Sequence, residues 1–234
     1  TITRGNNVHA YEDANNDNLP GYAPDTSTLQ FNYPINLANA PITNQDAAIT
    51  NLFYANNRIH DVTYHAGYTE AAGNFQQNNY GNGGLGNDYV QAEAFDGGGT
   101  NNANFGTPPD GSRPRMQMYL WNGTPQLDGS LDNGVIAHEY CHGISNRLTG
   151  GPSNTSCLTN AEQGGEGWSD WLALMMTVEA SDTGAGFLNQ ARGIGTYVLG
   201  QATTGAGIRR YRYSTNMSIN PQTYADLAAS SGPH

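Results

Sequence analysis

Charge is scarce in this chain. Asp, Glu, Lys and Arg make up 12% of its 234 residues, about half the usual share, which excludes a surface organised by ion pairs. The charges present are unbalanced, 9 basic against 20 acidic for a net of −11. A phosphate backbone would be repelled by them, so no nucleic-acid partner is expected. Long hydrophobic runs are missing as well: no stretch approaches the length of a membrane span, and no membrane partner is expected. No start methionine, secretion signal or prosegment heads the sequence, so Thr1 reads as the first residue of a processed chain. Internal repeats are absent. Gly81-Asn82-Gly83-Gly84-Leu85-Gly86-Asn87 lacks the Lys-Ser/Thr ending and the strand-to-helix setting of a phosphate cradle, and is read as a loop.

What is present is neutral and polar, with Asn, Gly, Thr, Ser and Tyr abundant, and the length suffices for one large domain or two lobes with real cores. Residues 1–130 mix short β-rich runs, at 28–33 and 115–121, with Gly/Asn loops. One long helix interrupts them over 44–64. Asn44 is its expected cap, and Ala47, Ile49, Leu52, Phe53, Ile59 and Val62 are its apolar positions. Residues 131–234 read as helical. The first helix there takes Asp132 or Asn133 as N-cap, carries Val135, Ile136, Ile144 and Leu148 as apolar positions and stops at Gly150-Gly151-Pro152. The fold class is α+β.

The chemistry concentrates in that helix. His138-Glu139-Tyr140-Cys141-His142 places two imidazoles one helical turn apart on a shared face, with a carboxylate beside the first. Both imidazoles can reach one metal ion, and Glu139 can address a water on the ion's open position. A catalytic zinc site takes three protein ligands. Glu166 is the candidate for the third: it follows His142 by 24 residues, in Gly164-Gly165-Glu166-Gly167-Trp168-Ser169-Asp170, and opens the apolar run 171–176. Glu166 and Asp170 are again i and i+4, so Asp170 can accept the free ring N–H of a ligand histidine and fix its tautomer. With six histidines in the chain, a chance match to the first motif is expected in roughly one such sequence in a hundred or fewer.

These residues carry a family resemblance. The run 138–148, the block ending at Asp170, the segment 99–105 followed by Pro108-Pro109-Asp110-Gly111, and further matches over 53–61 and 208–217 together resemble the fungalysins, secreted fungal zinc endopeptidases similar to thermolysin. The resemblance covers nearly the whole chain. It implies a thermolysin-like zincin, with a β-rich N-terminal lobe over 1–130, the start of a helical C-terminal lobe over 131–234 and zinc between them. It implies His138, His142 and Glu166 as zinc ligands and Glu139 as general base acting on a protein or peptide substrate. Asn102 and Ala103 would lie on an edge strand that pairs with the substrate backbone. Arg209 would meet a substrate carbonyl on the primed side, with Arg210 the competing choice. His234 falls roughly where such enzymes keep a histidine that stabilises the oxyanion; it is either that residue or a terminal one. The family's helical lobe continues beyond this point, so a companion C-terminal fragment of the same catalytic domain is expected.

An extracellular setting frames the rest. Cys141 and Cys157 bracket a 15-residue loop; a disulfide there would stabilise the chain by roughly 3 kcal/mol, and free thiols are the alternative. Asn122, Asn154 and Asn216 head glycosylation sequons. Asp13, Asn16 and Asp17 could bind calcium, but such runs are usually turns, and calcium is not located. His60 beside Asp61 reads as a core hydrogen-bonding pair, and His60 and His65 do not share a helix face. Two other functions stand beside the endopeptidase. One is a non-catalytic extracellular binding or defence protein keeping the fold, which intact Glu139 and Glu166 disfavour. The other is a zinc hydrolase of small amides or esters, which has no need of an edge strand.

Overall fold

Val8–Glu12 (β1) is buried at four of its five positions, the pattern of a strand covered on both faces. The computed structural model describes residues 1–161, 163–180, 182 and 190–227. In it β1 joins Val90–Ala94 (β2), Ala103–Gly106 (β3) and Arg115–Met118 (β4) in a sheet of order β1-β2-β4-β3. The pairs β1/β2 and β2/β4 are parallel. The last strand, β3, runs antiparallel to β4 with Phe105 opposite Met116, so it forms one edge of the sheet. Leu120–Trp121 (β5) and Leu127–Asp128 (β6) make a small antiparallel pair beside it.

Three helices cover the sheet and flank its edge: Gln45–His65 (α1), Asn133–Thr149 (α2) and Gly165–Met176 (α3). Residues from both sides of position 130 share one core, in which the rings of Phe75, Phe105 and Tyr140 lie 5.5–6.0 Å apart. Gly143 permits this closeness, because a Cβ there would lie 2.5 Å from Phe105 Cε1 and 2.8 Å from Phe75 Cζ. The α2 backbone is thereby seated on β3. Asp132 is the N-cap of α2, its Oδ1 accepting from the Gly134 and Val135 amides at 3.0 and 3.2 Å. Among the described residues, no helix is long and apolar enough to cross a membrane.

Several local expectations are corrected. Residues 28–33 form no strand: Leu29 has φ +60, outside the β region, and the Thr26 hydroxyl accepts the Thr28 amide in a local turn. The run 115–121 is strand but breaks at Tyr119, whose carbonyl accepts from the Gly129 amide. Asn44 stands at the N-cap of α1 without capping it, since its side chain pairs with the Asn36 amide and carbonyl at 2.8 and 3.0 Å. The buried stripe of α1 is Ala48, Ile49, Leu52, Ala55, Asn56 and Ile59, and Val62 falls outside it, exposed. On α2, Leu148 is exposed while Arg147 is fully buried.

Candidate active site

The turn of α2 sets His138 Nε2 and His142 Nε2 3.0 Å apart, their rings edge-on at 84°. Alongside, the first turn of α3 brings Glu166 Oε2 to 3.3 Å from His138 Nε2 and Oε1 to 3.4 Å from His142 Nε2. An ion at the centre of a tetrahedron with bonds of about 2.0–2.1 Å has ligand atoms about 3.3 Å from one another. The three side chains therefore converge with the spacing of a shared metal ion, two imidazole nitrogens and one carboxylate oxygen.

Asp170 is buried beside these side chains and held by several contacts. His138 Nδ1 lies 2.7 Å from Asp170 Oδ1. Arg209 donates to the same carboxylate from Nε at 2.6 Å and from Nη2 at 2.9 Å, and its Nη2 also reaches Glu166 Oε2 at 3.0 Å. The Tyr213 hydroxyl completes the set at 2.6 Å. Burial alone would lower the His138 pKa, but hydrogen bonds to Asp170 and Glu166 and the Glu139 charge outweigh it and raise it to about 9. Burial likewise works to raise Asp170, and bonds from His138, Arg209 and Tyr213 overcome it, holding the carboxyl at about 2. Hydrogen bonds from His138 and His142 keep Glu166 far below the usual carboxylate range. Glu139 moves the other way, raised chiefly by burial, with partial relief from His138 and His142.

His138, Glu139, His142 and Glu166 line a cavity of about 320 Å³. One wall is Asn102 and the β3 residues Ala103, Asn104 and Phe105; the opposite wall includes Ile194, Ile208 and Arg209. Asn102 is exposed just ahead of β3, whereas Ala103 is its first paired residue, opposite Met118. Arg210 is exposed and stacks on Tyr211 with its guanidinium 5.1 Å from the ring centre, so Arg209 is the arginine of the cavity.

The two cysteines are free thiols, which corrects the expected disulfide. Cys141 is buried mid-helix, with its Sγ 3.5 Å from the Trp168 carbonyl. The Cys157 sulfur instead crowds Gly150 at the helix end, accepting from Asn154 Nδ2. From 141 to 150 a helix rises about 13 Å, whereas disulfide Cα atoms lie within about 7 Å. Asn122, Asn154 and Asn216 are all exposed. Asp13 serves a turn, its carboxylate accepting from the Asp17 and Asn18 amides at 3.0 Å each. His60 is buried and pairs with Asp61 at 3.2 Å and Asn74 at 3.3 Å. His234 lies outside the described residues.

Sequence reasoning missed Tyr213 and the apolar wall formed by Ile194 and Ile208. Tyr213, Ile194 and Ile208 sit outside the regular helices and strands, where no periodicity marks them. Tyr213 reaches Asp170 because residues 192 and 213 pair backbone to backbone at 2.8–2.9 Å. Its only sequence signal was membership of the 208–217 block.

A sequence model of the family described as "Fungalysin metallopeptidase (M36)" matches residues 1–234. Among curated relatives, "Probable extracellular metalloproteinase 2" of Arthroderma benhamiae is 48% identical over 234 residues, covering 97% of this chain and 36% of the relative. "Extracellular metalloproteinase MEP" of Fusarium vanettenii is 48% identical over 240 residues, and "Extracellular metalloproteinase mep" of Aspergillus fumigatus 45% over 242, each covering all of this chain and 37% of the relative. The chain thus spans little more than a third of the length of the relatives it matches. With a family match over its whole length and the conjunction of His138, His142 and Glu166, the chain belongs to the fungalysin metallopeptidases.

Proposed function

We propose that this chain carries the metal centre of a secreted zinc endopeptidase. Its architecture would be a thermolysin-like zincin, with the zinc site between a β-rich lobe, residues 1–130, and a helical part from 131 onward. The observation that carries this reading is the convergence of His138, His142 and Glu166 within 3.0–3.4 Å, in the same cavity as Glu139 and the edge strand β3. The extracellular names of the relatives support secretion, and the three exposed sequons would then be glycosylation sites.

His138 Nε2, His142 Nε2 and a Glu166 oxygen would hold the zinc, a donor set that suits this ion, which would supply Lewis acidity and acidify a water in the cavity. Glu139 takes up the water's proton on its carboxylate and passes it to the leaving amine. Burial, by raising the Glu139 pKa, makes that uptake easier. Asp170 keeps the proton on His138 Nδ1, so that Nε2 presents its lone pair to the metal. Arg209 is braced by Asp170 and Glu166, and its Nη1, which has no hydrogen bond among the described residues, is free for a substrate carbonyl on the primed side. The edge of β3, approached through Asn102, pairs with an extended peptide. His234 would be either the oxyanion donor or a terminal residue without that role. A companion C-terminal segment of the catalytic domain is supported by α3, which leaves Trp168, Trp171 and Met175 about half exposed at i, i+3 and i+7.

The test compares the protein with Glu139→Gln for zinc content and for cleavage of an unfolded protein, with and without a chelator. Zinc is expected unchanged and kcat reduced by roughly 10²–10⁴. An active variant removes Glu139 as base. Zinc without any protein cleavage by the parent favours the non-catalytic binding protein, and turnover of small amides alone favours the other hydrolase.

A further inference from the structure

A second group of acids gathers where β1 and β2 end, apart from the residues of the histidine centre. Asp13 follows β1, Glu93 is in β2 and Asp96 follows β2; all three are at least 98% buried. Each offers a carboxylate oxygen within 4.8 Å of the other two. Three negative charges taken out of water at this spacing repel one another strongly, and a buried charge persists only when something opposes it.

The protein opposes them incompletely. Asp13 accepts two backbone amides, and Asp96 accepts from the Gly98 amide at 2.6 Å and from Gln117 Nε2 at 2.7 Å. Glu93 receives the Tyr11 hydroxyl on Oε1 at 2.9 Å. Arg115 Nε lies 3.2 Å from the same oxygen, but out of hydrogen-bond alignment, and the Arg115 Nη1 is spent on Asn18. Glu93 Oε2 is buried and meets no donor at all among the described residues. A buried carboxylate oxygen without a donor, next to two other carboxylates, is where a cation fits. Further oxygen is close by. Asn16 Oδ1 and Asp96 Oδ1 stand 2.9 and 2.8 Å from the point that a Gly98 Cβ would occupy, so the missing side chain leaves that space to oxygen atoms.

We propose that Asp13, Glu93 and Asp96 form a second cation site, for a hard divalent ion of the calcium type, distinct from the histidine centre. An all-oxygen set without nitrogen or sulfur selects calcium over zinc. Oxygen ligands of one calcium ion, at about 2.3–2.6 Å from it, stand no more than about 5.2 Å apart, and the three carboxylates satisfy that bound. The ion would clasp the turn after β1 to the turn after β2, where the Gly97 amide already meets the Asp13 carbonyl at 3.0 Å. That second turn leads through Asn102 into β3, so the ion steadies the chain that enters the strand lining the active-site cavity.

The experiment uses the full-length protein with its zinc retained and its calcium removed by dialysis. Thermal unfolding is followed as calcium is added, alongside Glu93→Gln, which keeps an acceptor for Tyr11. In the parent, Tm is expected to rise with calcium and saturate, as binding to the folded state alone requires. In Glu93→Gln the rise disappears, and bound calcium measured by atomic emission falls by one ion per chain. A parent Tm indifferent to calcium overturns the proposal, and means that Glu93 and Asp96 share a proton instead. An equal response in parent and variant also overturns it, by placing the ion elsewhere. Should Glu93→Gln fail to fold, Asp96→Asn is read by the same two measurements.

Discussion

Asp170 Oδ1 lies 2.7 Å from His138 Nδ1, and the same carboxylate is held from its other side by Arg209 and Tyr213, each at 2.6 Å. One buried acid thus orients the His138 imidazole and the Arg209 guanidinium together. Movement of either is transmitted to the other through a single side chain.

Replacing that acid should therefore loosen the metal more than the fold. Asp170→Asn is expected to reduce zinc affinity by about 10–100-fold, read by competition with a zinc-binding dye, with activity partly restored by excess zinc. Unchanged affinity would show that the Nδ1 contact does not tune the ligand. Tyr213→Phe should have the same sign and a smaller effect.

The sign of a glycine substitution tests the seating of α2. In an exposed helix, Gly to Ala stabilises by about 1 kcal/mol. At Gly143 the added methyl meets Phe105 and Phe75, so Gly143→Ala is expected to destabilise by about 1–3 kcal/mol in urea unfolding. A gain in stability would show that the two rings yield freely.

Arg147 anchors the end of the same helix. It is fully buried, bonds Asp88 at 2.6 Å and the Gly73 carbonyl at 2.9 Å, reaches the carbonyls of Pro108, Pro109 and Ser112 at 3.2 Å, and lies 4.7 Å from the centre of the Phe75 ring. Arg147→Met strands the buried Asp88 charge and should cost about 3–5 kcal/mol. Arg147→Lys should recover little, since one ammonium cannot serve that planar spread of acceptors. Full recovery by lysine would reduce the role to charge alone.

Asp128, buried at the end of β6, makes stability depend on pH. Burial raises its carboxyl from 3.8 to about 7, against the opposing bonds from Ser130. The folded state then binds more protons than the unfolded state between those values, so this group's contribution to stability falls as pH rises from about 4 to about 7 and is flat beyond. Each unit of the shift corresponds to about 1.4 kcal/mol. Asp128→Asn, compared with the parent over this range, should remove that downward slope; identical slopes would show that Asp128 ionises freely in the fold.

The convergence of His138, His142 and Glu166 was legible because helical spacing converts sequence positions directly into a shared face: 138 with 142, and 166 with 170, needed no knowledge of the tertiary fold. The cluster of Asp13, Glu93 and Asp96 was not, since Asp13 and Asp96 meet only through the pairing of β1 with β2 across some eighty residues. Helix α1 was placed to within a residue, yet its cap failed because Asn44 found a backbone partner in Asn36. The strand expected over 28–33 was lost to a left-handed residue, Leu29, and the disulfide to the length of α2.

The free edge of β3 is only four residues long. A peptide added there must surrender its own helix or sheet pairing over that length before it can lie beside the metal, so a folded target pays for local unfolding ahead of any chemistry. Under the endopeptidase reading, vulnerability would rank proteins by how readily a short segment opens rather than by what side chains it displays. A well-paired domain would outlast a frayed loop of identical sequence.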